Sequence, residues 1–421
     1  MYGKGDFQGH RWKRETARRQ PQTLPHLSTQ SLERRKMKKS LIVAALLGAL
    51  AFQAQAEVTI YGVADASITY QYLKTPGHGS TNTVSMDSGT DRGSRVGIHA
   101  TEKLSDRTQV EVILEDQFAL DSGVQQQDDK HLFHREATLN LNTDYGRFGF
   151  GRMGTSMGQI SSWCVVGPQI SAIGPGYGPY SGTSVWFTSG QSQMDNTIAW
   201  RSPRFGGFAL TAQYSGNVDQ TVTGAVENKA SAERYASLTG EFKRGALTLL
   251  AAVDSHLWAS SAAGNPDNSL QFTVGGNYDF GPARLFLAGN YFDHMKLALA
   301  AGNPSWYIAS GFDDFGVDKA MNYYAKGYGV SAGVSVPLSY GKIGFNATYN
   351  KVKDVETANG TAVTGNPEFE RAAGTVTYEY PFSKRTTFYV SAGYGEQKMD
   401  RATNGGTVKF ARALFGIDHN F

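Results

Sequence analysis

The chain ends on Lys409-Phe-Ala-Arg-Ala-Leu-Phe-Gly-Ile-Asp-His-Asn-Phe421. Ala411, Ala413, Phe415, Ile417 and Phe421 share one parity, and Arg412, Asp418 and Asn420 share the other. Successive side chains of a strand point to opposite faces, so this segment presents one largely apolar and one mostly polar face. A domain in water has little use for a wet-faced strand as its last element. A barrel in the bacterial outer membrane does, because its final strand must close on its first and leave no edge in the lipid.

The rest of the chain repeats the pattern. Its 421 residues exceed one ordinary globular core, yet no linker divides them. Only 18% are charged, while Gly reaches 49 and Tyr plus Phe reach 44. Mean hydropathy is −0.36, too low for a bundle of membrane helices. Sixteen alternating segments follow residue 57: roughly 57–72, 93–103, 108–118, 132–142, 147–153, 196–203, 207–215, 232–242, 245–254, 269–279, 283–293, 324–336, 342–351, 368–380, 386–396 and 409–421. Val110, Val112 and Leu114 oppose Gln109, Glu111 and Glu115; Tyr328, Val330, Ala332 and Val334 oppose Gly329, Ser331, Gly333 and Ser335. The polar side is Gly, Ser, Thr and charge, strand after strand, so the apolar side is expected to meet lipid. Short connections such as Thr143-Asp-Tyr-Gly146 and Phe280-Gly-Pro282 alternate with long ones such as 73–92 and 294–323. The expectation is an all-β fold: a 16-stranded antiparallel transmembrane β-barrel with tight periplasmic turns, long external loops and both ends on the periplasmic side.

One stretch departs from this. Residues 37–56 have a basic start, an apolar run from Leu41 to Phe52, and Ala54-Gln-Ala56 before Glu57. This reads as a cleaved secretory signal, with the barrel over 57–421. Residues 1–36 are polar and Arg-rich and read as a leader from an upstream mis-start or extension. Residues 1–56 hold 11 of the 40 Lys/Arg and 3 of the 37 Asp/Glu, which leaves 29 basic and 34 acidic residues and a net charge of −5. The basicity therefore belongs to the leader, and nothing points to nucleic acid. The lone Cys164 makes no disulfide framework. The sequence carries no Gly-x-Ser-x-Gly elbow in a strand-turn-helix setting, no nucleotide loop and no metal cluster, so no catalytic residue, cofactor or metal is assigned. His131 and His134 read as rim histidines.

The longest connection, 154–195, carries no charged residue or His from Gly154 to Met194 and is rich in Gly, Ser, Pro and aromatics, including Trp163, Tyr177, Tyr180, Trp186 and Phe187. An exposed loop of this length normally carries charge, so this one is expected to pack, and the lumen is the available place.

The chain resembles the Gram-negative general porins, in particular the neisserial and Bordetella-type branch. The resemblance rests on Glu57-Val-Thr-Ile-Tyr-Gly-Val-Ala-Asp65, on Gly93-Ser-Arg-Val-Gly-Ile-His99 leading to Glu115, and on Arg135 before Leu139-Asn-Leu141. Tyr145-Gly-Arg-Phe-Gly-Phe-Gly-Arg152, Asp195-Asn-Thr-Ile-Ala-Trp200 and Phe415-Gly-Ile-Asp-His-Asn-Phe421 complete it. It implies a homotrimer of sixteen-strand pores with loop three folded inward, in contact with outer-membrane lipid and lipopolysaccharide, inserted by the barrel assembly machinery through Phe421. It also implies basic wall residues facing acidic loop residues. Two departures stand out: the common Val-Gly-Leu reads Leu139-Asn-Leu141, and loop three has no acid before Asp195.

Parity sends Arg95, His99, Arg201, Arg371 and Arg412 into the lumen, with Glu115 and Glu136 among the acids. Arg135 shares a side with the apolar Leu139 and Leu141, which only a bulge would reconcile with a pore position. Arg152 ends its strand and is expected to bend inward, and Asp195 is expected to line the constriction where loop three ends. Glu57 and Phe421 are expected to meet where the barrel closes. The resulting expectation is a passive channel for small hydrophilic solutes with a net positive, anion-preferring constriction and aromatic rings for stacking. The alternative is a plugged, structural or adhesive barrel.

Overall fold

The computed structural model describes residues 56–76, 79–125, 130–173, 193–260, 267–297, 323–357, 368–400 and 406–421. Its strands are β1 (Ala56–Thr75), β2 (Gly79–Ser88), β3 (Arg95–Ser105), β4 (Thr108–Gln117), β5 (Glu136–Thr143), β6 (Gly146–Gly154), β7 (Gln193–Arg201), β8 (Phe208–Ser215) and β9 (Arg234–Arg244). There follow β10 (Leu247–Leu257), β11 (Leu270–Asp279), β12 (Arg284–Leu297), β13 (Tyr323–Pro337), β14 (Lys342–Thr357), β15 (Glu368–Pro381), β16 (Thr386–Asp400) and β17 (Gly406–Asn420). From β3 onward each strand pairs antiparallel with the next, and β17 returns to β1.

Seventeen strands make a sixteen-strand wall because β2 and β3 are two halves of one. Both lie along β1 in succession: β2 pairs from Thr75↔Gly79 to Ala66↔Ser88, and β3 takes over at Val63↔Arg95. Residues 89–94 leave the ladder between them. The upper half was hidden in the sequence because Gly79-Ser-Thr-Asn-Thr-Val-Ser-Met-Asp-Ser88 has almost no apolar face. A strand that rises past the bilayer has no lipid to meet and needs none.

The closure differs in register from expectation. β17 pairs with β1 from Lys74↔Lys409 to Val63↔Asn420, and Phe421 exchanges both backbone hydrogen bonds with Gly62 at 3.1 Å. Glu57 lies five residues further along β1, opposite Thr101 of β3. At about 3.3 Å per residue the offset is roughly 17 Å, so Glu57 and Phe421 do not meet. Strands in a barrel are tilted and staggered, and the stagger is taken up at the closing pair.

The two faces separate as the parity predicts. On β11, Leu270, Phe272 and Val274 are exposed while Gln271 and Thr273 are buried. The apolar outer band ends in aromatics beside the tight turns: Tyr278 packs on Phe280 with ring centres 4.5 Å apart, and Tyr380 on Phe382 at 5.2 Å. Such rings suit the bilayer interface, where one end is wet and the other apolar.

Candidate pore constriction

Loop three joins β6 to β7, and its described part, 155–173, runs through the lumen. Its start is clamped to β8 and β9: the Ser156 N–H donates to Gln213 Oε1 (2.5 Å), Gln213 Nε2 donates to Gly154 O (2.9 Å), and the Ser156 and Thr239 hydroxyls lie 2.8 Å apart. Ser156 stands in Gly154-Thr-Ser-Met-Gly158, which has the spacing of a nucleophile elbow. Among the described residues its hydroxyl meets only Ser237 and Thr239, however, and an elbow needs a histidine base.

A second clamp holds the loop to β5, β6 and β7. Trp163 is fully buried against Met153 and Ala199, and its indole N–H donates to Asn140 Oδ1 at 3.1 Å. Glu136 accepts from the Ser162 N–H (2.8 Å) and hydroxyl (2.7 Å). Further on, a one-turn helix, Gly167–Ile170, reaches β11, where Asn277 Nδ2 donates to Gln169 O at 3.0 Å. Ala172 and Ile173 then pack with Phe286, Tyr389 and Leu414 of β12, β16 and β17. The loop thus follows the wall from β5 to β17.

Charge gathers on β3 to β7, at the side of the lumen where loop three begins. Glu115 of β4 lies 3.2 Å from Arg95 and accepts from Arg135 Nε at 2.5 Å, while Arg135 Nη1 donates to Gln117 Oε1 at 2.5 Å. Arg135 reaches the lumen through a bulge, because the Arg135 N–H bonds Glu115 O while Glu136 also opposes Glu115 in the ladder. Glu111 accepts from Arg147 Nη2 (2.9 Å) and lies 2.9 Å from His99 Nε2. Arg147 and Arg201 are register partners, and both guanidinium groups stand over the Trp163 ring, 4.6 and 5.3 Å from its centre. Arg201 also donates to Trp163 O at 2.8 Å.

Arg147 is absent from the sequence expectations. Its signal was readable: Phe148 and Phe150 face out, which sends Arg147 and Gly149 inward. The arc therefore holds four arginines, His99 and three glutamates, one of which, Glu136, is turned onto the loop backbone.

Other expected pore residues lie elsewhere. Arg152 shares the outward parity of Phe148 and Phe150; it bonds Asp195 Oδ1 (2.6 Å) and His134 O (2.6 Å) at the external rim. The ladder slips there, between Gly151/Met153 and Thr197/Met194, and Asn196 takes a φ of 48°. That bulge turns Asp195 outward with Arg152, so neither lines the constriction. His131 Nε2 sits 3.2 Å from Asp195 Oδ2 in the same rim network, close to Asp219. Arg371 is buried on β15 with its guanidinium 5.1 Å from the Phe410 ring centre, and Arg412 on β17 reaches Asp87 at 3.2 Å. Both stand toward the external end, apart from the arc. Trp163 lies beneath two guanidinium groups and offers no free face for stacking. Tyr177, Tyr180 and Trp186 lie outside the described residues.

Acids gather beside the arc rather than on the loop. The Asp65 carboxylate accepts from the backbone N–H groups of Asp91 (2.9 Å) and Arg92 (2.7 Å) and from the Tyr389 hydroxyl (2.5 Å). Arg92 pairs with Asp418 and donates to Asn420 Oδ1 at 3.1 Å. This group anchors 89–94, the segment that leaves the ladder between β2 and β3.

Cys164 lies in loop three with its thiol 3.1 Å from Ile160 O, and burial pushes its pKa up to about 12. Only the thiolate is a nucleophile. The folded protein is therefore expected to leave Cys164 unmodified by N-ethylmaleimide at pH 8, and the unfolded chain to react fully, as read by mass spectrometry.

A closed barrel with an apolar outer band, a polar lumen and a loop pinned inside it defines an outer-membrane pore protein. The sequence pattern of the Gram-negative porins matches residues 40–400, and the chain belongs to that family. It is 29% identical over 386 residues to an outer membrane porin protein of Bordetella pertussis, covering 86% of this chain and 94% of that one. It is 27% identical over 400 residues to the major outer membrane protein P.IB of Neisseria sicca, covering 91% and 100%. The fold also matches the anion-selective porin from Comamonas acidovorans with a TM-score of 0.61 at 20% identity, over 87% of this chain and all of that one.

Proposed function

We propose that this protein is a passive channel for small hydrophilic solutes that passes anions in preference to cations. The observation that carries the preference is the arginine arc. Arg95, Arg135, Arg147 and Arg201 border the passage with Glu111 and Glu115, while Glu136 is spent on Ser162. Selectivity follows the sum of charge at the narrowest section, and an anion meets more donors than acceptors there. The relative named as anion-selective shares the fold and lends this reading only that.

The reading includes three copies of the barrel in the outer membrane in contact with lipopolysaccharide, exported through cleavage of 37–56 and inserted through the strand that ends in Phe421. Purified protein in a planar bilayer under a KCl gradient is expected to give a reversal potential of the sign set by chloride. A cation-signed potential removes the preference, and a barrel that passes no current favours the plugged alternative.

A further inference from the structure

The inner wall is missing side chains where loop three lies against it. A methyl group on Gly149 would come within 2.3 Å of the Trp163 ring, and one on Gly344 within 2.6 Å of Ile173 Cγ2. At Gly275 and Gly333 the loop atoms Ile170 Cγ2 and Ala172 Cβ each lie 2.9 Å away, alongside wall atoms that are closer still, Leu287 O at 2.8 Å and Asn346 Oδ1 at 2.5 Å. Non-bonded carbons pack at about 3.5–4.0 Å, so none of these sites has room for alanine as the loop lies. The four glycines stand on β6, β11, β13 and β14, all on lumen-facing parity.

Glycines of the same strands or their neighbours that face the lipid are different. The nearest atom to a methyl on Gly374 is Phe345 Cε2 at 3.7 Å, and on Gly289 it is Gly329 O at 3.8 Å. Glycine weakens a strand interior, so a row of it under one loop needs a reason, and close approach of the loop supplies one.

We propose that these four glycines form a track that fixes the bore of the channel. Loop three lies flush on the track, and the open passage is what remains between the loop and the charged arc. Restoring a methyl group under the loop moves it by about 1 Å into the passage, because a close-packed wall yields little. The inference rests on the channel reading above and names the residues that determine its size limit.

The test is single-channel conductance of the refolded full barrel carrying Gly344→Ala, with Gly374→Ala as the lipid-facing comparison and Gly344→Ala/Ile173→Ala as the compensating pair. Gly344→Ala is expected to lower conductance by about a third and to slow liposome swelling by larger sugars more than by smaller ones, with the reversal potential unchanged. Gly374→Ala is expected to conduct like the wild type. Removing the Ile173 side chain is expected to restore most of the lost current. Wild-type current in Gly344→Ala, or a deficit that the Ile173 change leaves in place, overturns the track. Heat-shifted gel mobility reports folding; if Gly344→Ala does not fold, Gly149→Ala, where the loop's Trp163 ring is met first, carries the conductance comparison. A wild-type barrel that conducts nothing refutes the channel reading instead, so the two failures are told apart.

Discussion

Replacing Arg95 and Arg135 together with glutamate is expected to turn the channel from anion to cation preference. Both guanidinium groups lie on Glu115, at 3.2 and 2.5 Å. The double substitution changes the local charge by four and leaves three carboxylates side by side. The two remaining arginines of the arc cannot make this good, because Arg147 is held by Glu111 and Arg201 by the backbone of Trp163. The screening length is about 10 Å at 0.1 M salt, so an ion in the passage feels the whole group. A change of about 1.4 kcal/mol in the difference between anion and cation barriers is tenfold in permeability ratio. Several unit charges at this range exceed that at an effective dielectric of about 20. The reversal potential in a KCl gradient is expected to change sign. Arg95→Lys with Arg135→Lys is expected to keep the anion sign. If the double glutamate variant folds and still prefers anions, the arc does not set selectivity.

Much of this arrangement was legible in the sequence, and the reasons for the rest are local. Parity gave the wall and the lumen faces of Arg95, His99, Arg201 and Glu115, because lipid on one side and water on the other enforce a period of two. Some of the errors fall where that period breaks. β2 was invisible because Val84 and Met86 are all the apolar face it has to show. Asp195 was misplaced because the bulge at Gly151 and Asn196 shifts the register, and bulges carry no pattern of their own, whereas Arg152 keeps the outward parity that Phe148 and Phe150 already showed. The uncharged run after Gly154 said that loop three packs, but not against which strands. That depended on which wall residues are small, and Gly149, Gly275, Gly333 and Gly344 looked like ordinary members of a glycine-rich chain.

The Leu139-Asn-Leu141 departure has its explanation in loop three. Asn140 stands where the resembling family commonly has glycine, and here it receives the indole N–H of Trp163. Gly149 beside it leaves the space that the ring fills. Asn140 and Gly149 thus both serve the Trp163 ring, which ties the loop to the wall.

Trp163→Ala should accordingly have the largest effect of any single change in loop three. Truncating a buried aromatic costs about 3–5 kcal/mol, and the lost hydrogen bond and two cation–π contacts each add about 1 kcal/mol. The barrel ladder does not depend on this residue, so the penalty falls on the docking of the loop. Ser162 loses its neighbour, and Arg147 and Arg201 lose the ring that orders them and swing toward the passage. The expected channel has a folded barrel, noisier open current, a stronger anion preference and faster proteolysis within loop three. Asn140→Gly removes the acceptor and the Nδ2 bond to Thr138 but leaves the ring in its slot, so its current is expected to stay close to wild type. Trp163→Phe, which keeps most of the packing and no N–H, should fall between the two. A Trp163→Ala channel as quiet and as protease-resistant as the wild type would mean that the clamps at Ser156, Gln169 and Ile173 hold the loop without it.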